Sequence, residues 1–272
     1  MAKLSITTAW NETVAFIGRE AQLILPIAFL LLALPGAALQ LFMPAQAPGA
    51  TPEFPPILWL LFPIAVATGM IGSIAITWLA LRPGGSVGEA LQRGLSRFLI
   101  LFAASLLIGL AALALLVPLM LLFAGGAVLS GGTVPAAAAG PMLLAMLVFM
   151  LVVIAVWVRL MLMTPVAAAE DVGPIGIISR SWALTAGRFW KLLGFLLLLI
   201  LAAIVVTFAV SAVIGIVLFL AAGPPEPGSV SMIVMMIVSA LIQSVLSAIF
   251  LVLVARIYAQ LAGSDDKSEV FA

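Results

Sequence analysis

GGSVGEALQRGLSRFLILFAASLLIGLAALALLVPLMLLF, residues 84–123, is the stretch on which the fold turns. In its first part Val87, Ala90, Leu91, Gly94, Leu95 and Phe98 are apolar or small at helical spacing, while Glu89, Gln92, Arg93, Ser96 and Arg97 fall opposite. From Phe98 to Phe123 no charged residue occurs, and that run exceeds the roughly 20 residues a helix needs to cross a bilayer. The pattern predicts an amphipathic helix in a membrane interface that feeds a spanning helix.

Five further runs of the same kind flank it. With it, the predicted spans are 21–42, 57–81, 98–123, 141–168, 189–222 and 229–261. Hydrophobic residues make up 65% of the chain and charged residues 8%, against about 25% charged in soluble domains. Such a composition calls for lipid as solvent. The polar N-terminal residues Lys3, Asn11, Glu12, Arg19 and Glu20, and the length of the first apolar run, predict a first span rather than a cleavable leader.

Charge then sets the topology. Connections 43–56, 124–140 and 223–228 carry no Lys or Arg, and all 11 cationic side chains fall on the other side of the spans. The positive-inside rule predicts that side, with both termini, to be cytoplasmic in a bacterial inner membrane. Trp78, Trp157, Trp182, Trp190 and Tyr258 fall at the same boundary and Trp59 at the opposite one, the headgroup depth such rings favour.

Within that pattern six arginines recur. Arg19, Arg97 and Arg188 open the first, third and fifth spans; Arg82, Arg159 and Arg256 close the second, fourth and sixth. Moving 91 residues along the chain takes Arg97-Phe98 onto Arg188-Phe189 and the stripe of the quoted segment onto Ile178, Ser181, Trp182, Thr185 and Ala186. Ile6, Trp10, Thr13, Val14 and Ile17 form a looser copy. The expected plan is a single all-α membrane domain, residues 1–272, with six spans arranged as three hairpins. Each hairpin opens with an interfacial amphipathic helix. The repeat units are about 4–82, 86–169 and 176–262, with a polar tail at 263–272, and copies of equal orientation surround an axis along the membrane normal.

Candidate functional residues follow from this plan. Arg19, Arg82, Arg97, Arg159, Arg188 and Arg256 are expected to form a collar for lipid phosphates or another anion, because guanidinium binds phosphate bidentately. The competing reading is topology signal with snorkelling side chains. Glu170 and Asp171 are the candidate acceptors for inner salt bridges, Arg159 among their partners. Residues 169–188 are either a docking element or a Gly173-Pro174 helix break with Trp182 as an interface anchor. Ser239, Gln243 and Ser247, with Thr207 and Ser211, are candidates for a polar interior, or for interhelical hydrogen bonds. Ala65, Gly69, Ser73 and Thr77 predict a close helix contact, and Pro26, Pro63, Pro118 and Pro165 predict kinks.

The chain has no cysteine and no histidine. Thiolate chemistry, the commonest general base and the commonest transition-metal ligand are therefore excluded. No span carries Asp, Glu or Lys near its middle, where a proton relay needs one. The expectation is a protein with no enzymatic activity, no metal and no cofactor. A net charge of +1 gives no reason for nucleic acid.

The passages GGSVGEALQRGLSRFLILF (84–102) and AAAEDVGPIGIISRSWALTAGRFWKLLGFLLLL (167–199), with the three-hairpin layout, resemble the membrane domain associated with bacterial glycerophosphoryl diester phosphodiesterases and the YciC-like inner-membrane proteins. The resemblance implies a six-span bundle, joined in some relatives to a soluble hydrolase. That activity is not carried over here, because spans occupy residues from about 20 to 261 and histidine is absent. The expected function is structural or regulatory, through contact with anionic headgroups or a cytoplasmic protein, or with a second copy. The alternative is a carrier or channel for a lipid or small neutral solute.

Overall fold

A computed structural model describes residues 5–42, 55–129, 136–223 and 229–270. Most of the three charge-poor connections, at 43–54, 130–135 and 224–228, lies outside the described residues, as do Glu53 and Glu226. Every element among the described residues is helical. Helix α1 (Ile6–Ile27) runs through a π-helical segment (Ala28–Ala33) into α2 (Leu34–Phe42). There follow α3 (Ile57–Leu81), α4 (Val87–Leu129), α5 (Ala136–Leu160) and α6 (Met163–Ala169). The last three are α7 (Pro174–Thr185), α8 (Phe189–Ala222) and α9 (Val230–Val270). Six helical stretches are long and apolar enough to cross a membrane: Ile6–Phe42, Ile57–Leu81, Val87–Pro118, Gly140–Ala169, Phe189–Ala221 and Ser231–Gly263.

Short polar residues start two of these helices. The Ser5 hydroxyl accepts from the Thr8 amide. Ser86 and Glu89 form a reciprocal capping box, Ser86 N–H donating to Glu89 Oε2 at 3.0 Å and Glu89 N–H to Ser86 Oγ at 3.2 Å. Two proline positions set breaks. Pro165 has no N–H for the Met161 carbonyl and its ring crowds that carbonyl, so the fourth span parts at residues 161–162 into α5 and α6. Pro35 likewise leaves Leu31 without a donor, and the turn before it widens to π, with Leu34 N–H donating to the Phe29 carbonyl. By contrast α3 and α4 continue through Pro63 and Pro118.

The expected interfacial helices differ from the plan in two of three places. Residues 6–17 and 87–97 are the opening turns of α1 and α4, continuous with the spans; only α7 stands alone. The reason is local. Gly187 takes φ 73° and ends α7, whereas the matching position 91 residues earlier is Ser96, which stays helical.

Packing is organised around α3, α6 and α9, which touch one another. Helix α1 lies between α9 and α3, α4 between α3 and α6, and α7 between α6 and α9. Helix α8 rests on α9 and touches α5. In the second expected hairpin α4 meets the returning span through α6, and it packs further on α3 and α7.

Close approach is achieved at glycines other than the predicted one. A Cβ on Gly72 would lie 2.7 Å from Leu31 Cβ, and one on Gly94 would lie 2.7 Å from the Ile71 carbonyl oxygen. Gly69 has open space around it. In the predicted seam, the Ser73 and Thr77 hydroxyls bond carbonyls of their own helix, those of Met70 and Ser73.

The core sits at the arginine-bearing end. It gathers Phe16 and Ile24 of α1, Ile74 to Ala80 of α3, and Leu162 to Ala168. Ile177 of α7, Leu192 and Leu196 of α8, and Val252 to Leu261 of α9 complete it. Toward the other end the helices present apolar side chains outward, among them Trp59, Leu144, Phe208 and Leu220, each at least three-fifths exposed.

Candidate anion-binding site

The cationic end is built on the C-terminus of α6. A helix ends with unpaired carbonyls carrying the negative pole of its dipole, and α6 ends at Ala169, just past the buried core residues Val166, Ala167 and Ala168. Arg93 and Arg97, four apart on α4, supply the donors. Arg93 Nε donates to the Ala168 carbonyl at 2.9 Å, and Arg97 Nε to that of Ala167 at 3.2 Å. Arg97 Nη2 donates to the carbonyls of Glu170 and Val172, both at 2.7 Å. Only 7% of Arg97 is exposed. Its donors serve the chain itself, so the collar predicted from sequence does not present Arg97 to a ligand.

The acidic pair is divided between two tasks. Asp171 Oδ1 accepts from Arg93 Nη1 at 2.8 Å and lies 3.7 Å from Arg97 Nη1. The Arg93 hydrogen bond and charge hold the Asp171 carboxyl below the usual aspartate range. Glu170 Oε1 accepts from the Tyr258 hydroxyl at 2.7 Å and from Arg180 Nε at 3.2 Å, tying α7 and α9 to the end of α6. Neither acid is the partner of Arg159.

Arg159 instead lies against aromatic faces. Its guanidinium carbon is 5.3 Å from the Trp182 ring centroid and 5.9 Å from that of Phe189. Ser181 Oγ donates to the Arg159 carbonyl at 2.9 Å and Thr185 Oγ1 at 3.3 Å, which fastens the end of α5 to α7 and fixes where the side chain starts. Nη1 of Arg159 is buried and has no hydrogen-bond partner among the described residues. Leaving a buried donor unsatisfied costs about 1–3 kcal/mol, and more for a charged group. Arg256 repeats the device, stacked at 5.0 Å on Phe16 with a buried, unpaired Nε. Arg82, the third arginine to close a span, is exposed and lies 5.4 Å from Trp78 in its own helix.

Of the arginines that open spans, Arg19 is exposed and donates to the Ala15 carbonyl. Arg188 is the half-buried N-cap of α8, and its side chain makes no capping bond. A recess beside α1, lined by Phe16, Glu20, Leu79 and Arg82 among others, has room for about one water.

The polar residues expected inside the bundle are not there. Thr207, Ser239 and Gln243 are exposed, and Ser211 and Ser247 are half-buried. The inward face of α9 is instead Ala240, Ser244, Ala248 and Val252, and Ser244 bonds its own helix at the Leu241 carbonyl. The predicted stripe is displaced by one residue, about 100° around the helix. Arg93 and Tyr258, which complete the network, were visible in sequence only as a polar-face cation and an interface anchor. The spacing of four between Arg93 and Arg97 is the signal that pairs them.

A family profile described as "Domain of unknown function (DUF7847)" matches residues 4–261. No curated protein and no solved structure matches the chain.

Proposed function

The chain belongs to the DUF7847 family, and for this member we propose a non-enzymatic role in a bacterial inner membrane, with its arginine-bearing end and both termini on the cytoplasmic side. There it contacts anionic headgroups, or a cytoplasmic partner, in a structural or regulatory capacity. Two observations support insertion. Side chains such as Phe208 and Leu220 stand outward along the part of α8 beyond Lys191, which carries no charge, a surface too apolar for water. The cations, meanwhile, gather where the core is.

A triplicated plan is part of the proposal. Its support is the mutual contact of α3, α6 and α9, with α1, α4 and α7 each wedged between two of them. The kinship with phosphodiesterase-associated and YciC-like membrane domains is proposed on the same footing. The two passages that carry the likeness are the ones that meet here, through Arg93, Arg97, Glu170 and Asp171.

The observation that carries the headgroup reading is a set of arginines lying over aromatic rings at one end, of which Arg159 and Arg256 form no salt bridge among the described residues. Guanidinium so held keeps its in-plane donors for a phosphate. A carrier role loses support, because Gln243 and Thr207 face outward from the bundle. The test is native mass spectrometry of full-length protein extracted in detergent. Phosphatidylglycerol is expected to be retained over phosphatidylcholine, and retention to fall when Arg82 and Arg188 are both replaced by Gln. Equal retention of the two lipids by the unaltered protein sinks the reading.

A further inference from the structure

We propose that Arg159, Trp182 and Phe189 form a discrete phosphate socket at the junction of α5, α7 and α8. The proposal rests on the headgroup reading above and narrows it to one site. Three features argue for a built site. The guanidinium carbon lies over two aromatic rings, 5.3 Å from the Trp182 centroid and 5.9 Å from that of Phe189, contacts that hold the charge without using its N–H donors. One nitrogen, Nη1, is buried without a hydrogen-bond partner among the described residues, while Arg159 as a whole is half-buried, so an acceptor entering at its exposed edge would complete it. The backbone that positions this arginine is itself fastened, by the Ser181 and Thr185 hydroxyls on the Arg159 carbonyl.

The charge around the socket selects the ligand. Arg188 and Lys191 stand at the start of α8, one residue before Phe189 and two after it. The nearest acids in sequence, Glu170 and Asp171, are taken by Arg180, Tyr258, Arg93 and Arg97. Arg159 and the two cations at the start of α8, none in a salt bridge among the described residues, favour a phosphate group over a neutral or zwitterionic one. The turn at Gly187 adds the positive end of α8, whose N-cap Arg188 leaves the first turn without a side-chain cap. Trp182 and Trp190 are exposed beside this turn, as suits a site at headgroup depth. The phosphate can belong to an anionic lipid or to a free solute, and the two are separable by experiment.

The experiment titrates phosphatidylglycerol into detergent-solubilised full-length protein and reads the apparent Kd by native mass spectrometry. The lipid-induced rise in Tm is read in parallel, so that a loss of basal stability cancels within each variant. Arg159→Gln is expected to weaken phosphatidylglycerol about tenfold, the loss of one charge-assisted hydrogen bond, with Arg19→Gln within about twofold of the unaltered protein. Arg159→Lys keeps the charge and loses the planar stack, and it is expected to weaken binding about threefold to tenfold. That variant decides the matter if Arg159→Gln does not fold.

Inorganic phosphate supplies the second arm. Displacement of the lipid from the Arg159 site by phosphate assigns the socket to a soluble phosphate; no displacement assigns it to the headgroup. Unchanged lipid binding in Arg159→Gln or Arg159→Lys, with a fall in Arg82→Gln, overturns the socket and leaves the broader reading standing. No preference for phosphatidylglycerol in any form overturns both.

Discussion

Arg97 and Val172 are 75 residues apart in sequence and 2.7 Å apart in space, guanidinium Nη2 to carbonyl oxygen. With the bonds to Ala167 and Glu170, this arginine closes the end of α6 from a neighbouring helix. An arginine at a membrane interface is expected to turn outward to phosphate. This one turns inward because α6 ends within its reach and α4 holds it there.

Replacing Arg97 should therefore act on stability. Arg97→Gln orphans carbonyls that the core encloses and is expected to cost about 3 kcal/mol or more. Arg97→Lys should not restore it, because one ammonium cannot span carbonyls on both sides of the break. Thermal unfolding in detergent measures this. A variant that melts with the unaltered protein would remove the clamp from the account.

The Arg93–Asp171 pair predicts a pH dependence. The folded carboxyl titrates below its ordinary range. Its contribution is thus present above the unfolded value, about pH 4, and is lost as pH falls through the depressed folded value. Asp171 is 79% exposed, so added salt should blunt the effect. Asp171→Asn should flatten the acid limb of Tm against pH without changing Tm at neutral pH by more than a small amount. An unaltered acid limb would show that other carboxyls set it.

The glycines supply a paired test of packing. Gly72→Ala pushes a methyl into Leu31 and Leu32, and Gly94→Ala pushes one onto the Ile71 carbonyl. Each should destabilise by about 1–3 kcal/mol, the second more firmly because backbone cannot step aside. Gly69→Ala enters open space and should be neutral or slightly stabilising. Equal Tm shifts in all three would contradict the observed helix approach.

These residues also show what was legible beforehand. Runs such as 98–123 are long and apolar enough to predict a helix of membrane-crossing length, so six long apolar helices were readable from hydropathy and length. What periodicity could not give was direction. In a helix bathed in lipid the outward face is as apolar as the inward one. The spacing of Ser239, Gln243 and Ser247 thus shows a shared face without saying which way it points. Matching residues also diverged in role. Arg97 and Arg188 each precede a Phe, 91 residues apart, yet of the two only Arg97 meets a helix C-terminus, that of α6, where the backbone turns extended at Glu170. Roles of that kind depend on contacts across some 70 residues, which no local pattern encodes.

Orientation is open to a direct test, because the chain has no cysteine and every introduced thiol reports alone. Ser179 lies on the exposed side of α7, at the arginine-bearing end. Gly126 lies near the far end of α4, past the apolar run 98–123. In intact cells a membrane-impermeant maleimide should label Gly126→Cys and spare Ser179→Cys until the membrane is opened. The physical reason is that translocating the arginine-rich segments would carry several cations through hydrocarbon, at about 2.5–3.5 kcal/mol each on insertion scales. Labelling of both thiols from one side would place the two ends of α4 in one compartment. A continuous apolar helix crossing the membrane cannot do that, and the headgroup socket would lose its leaflet along with the topology.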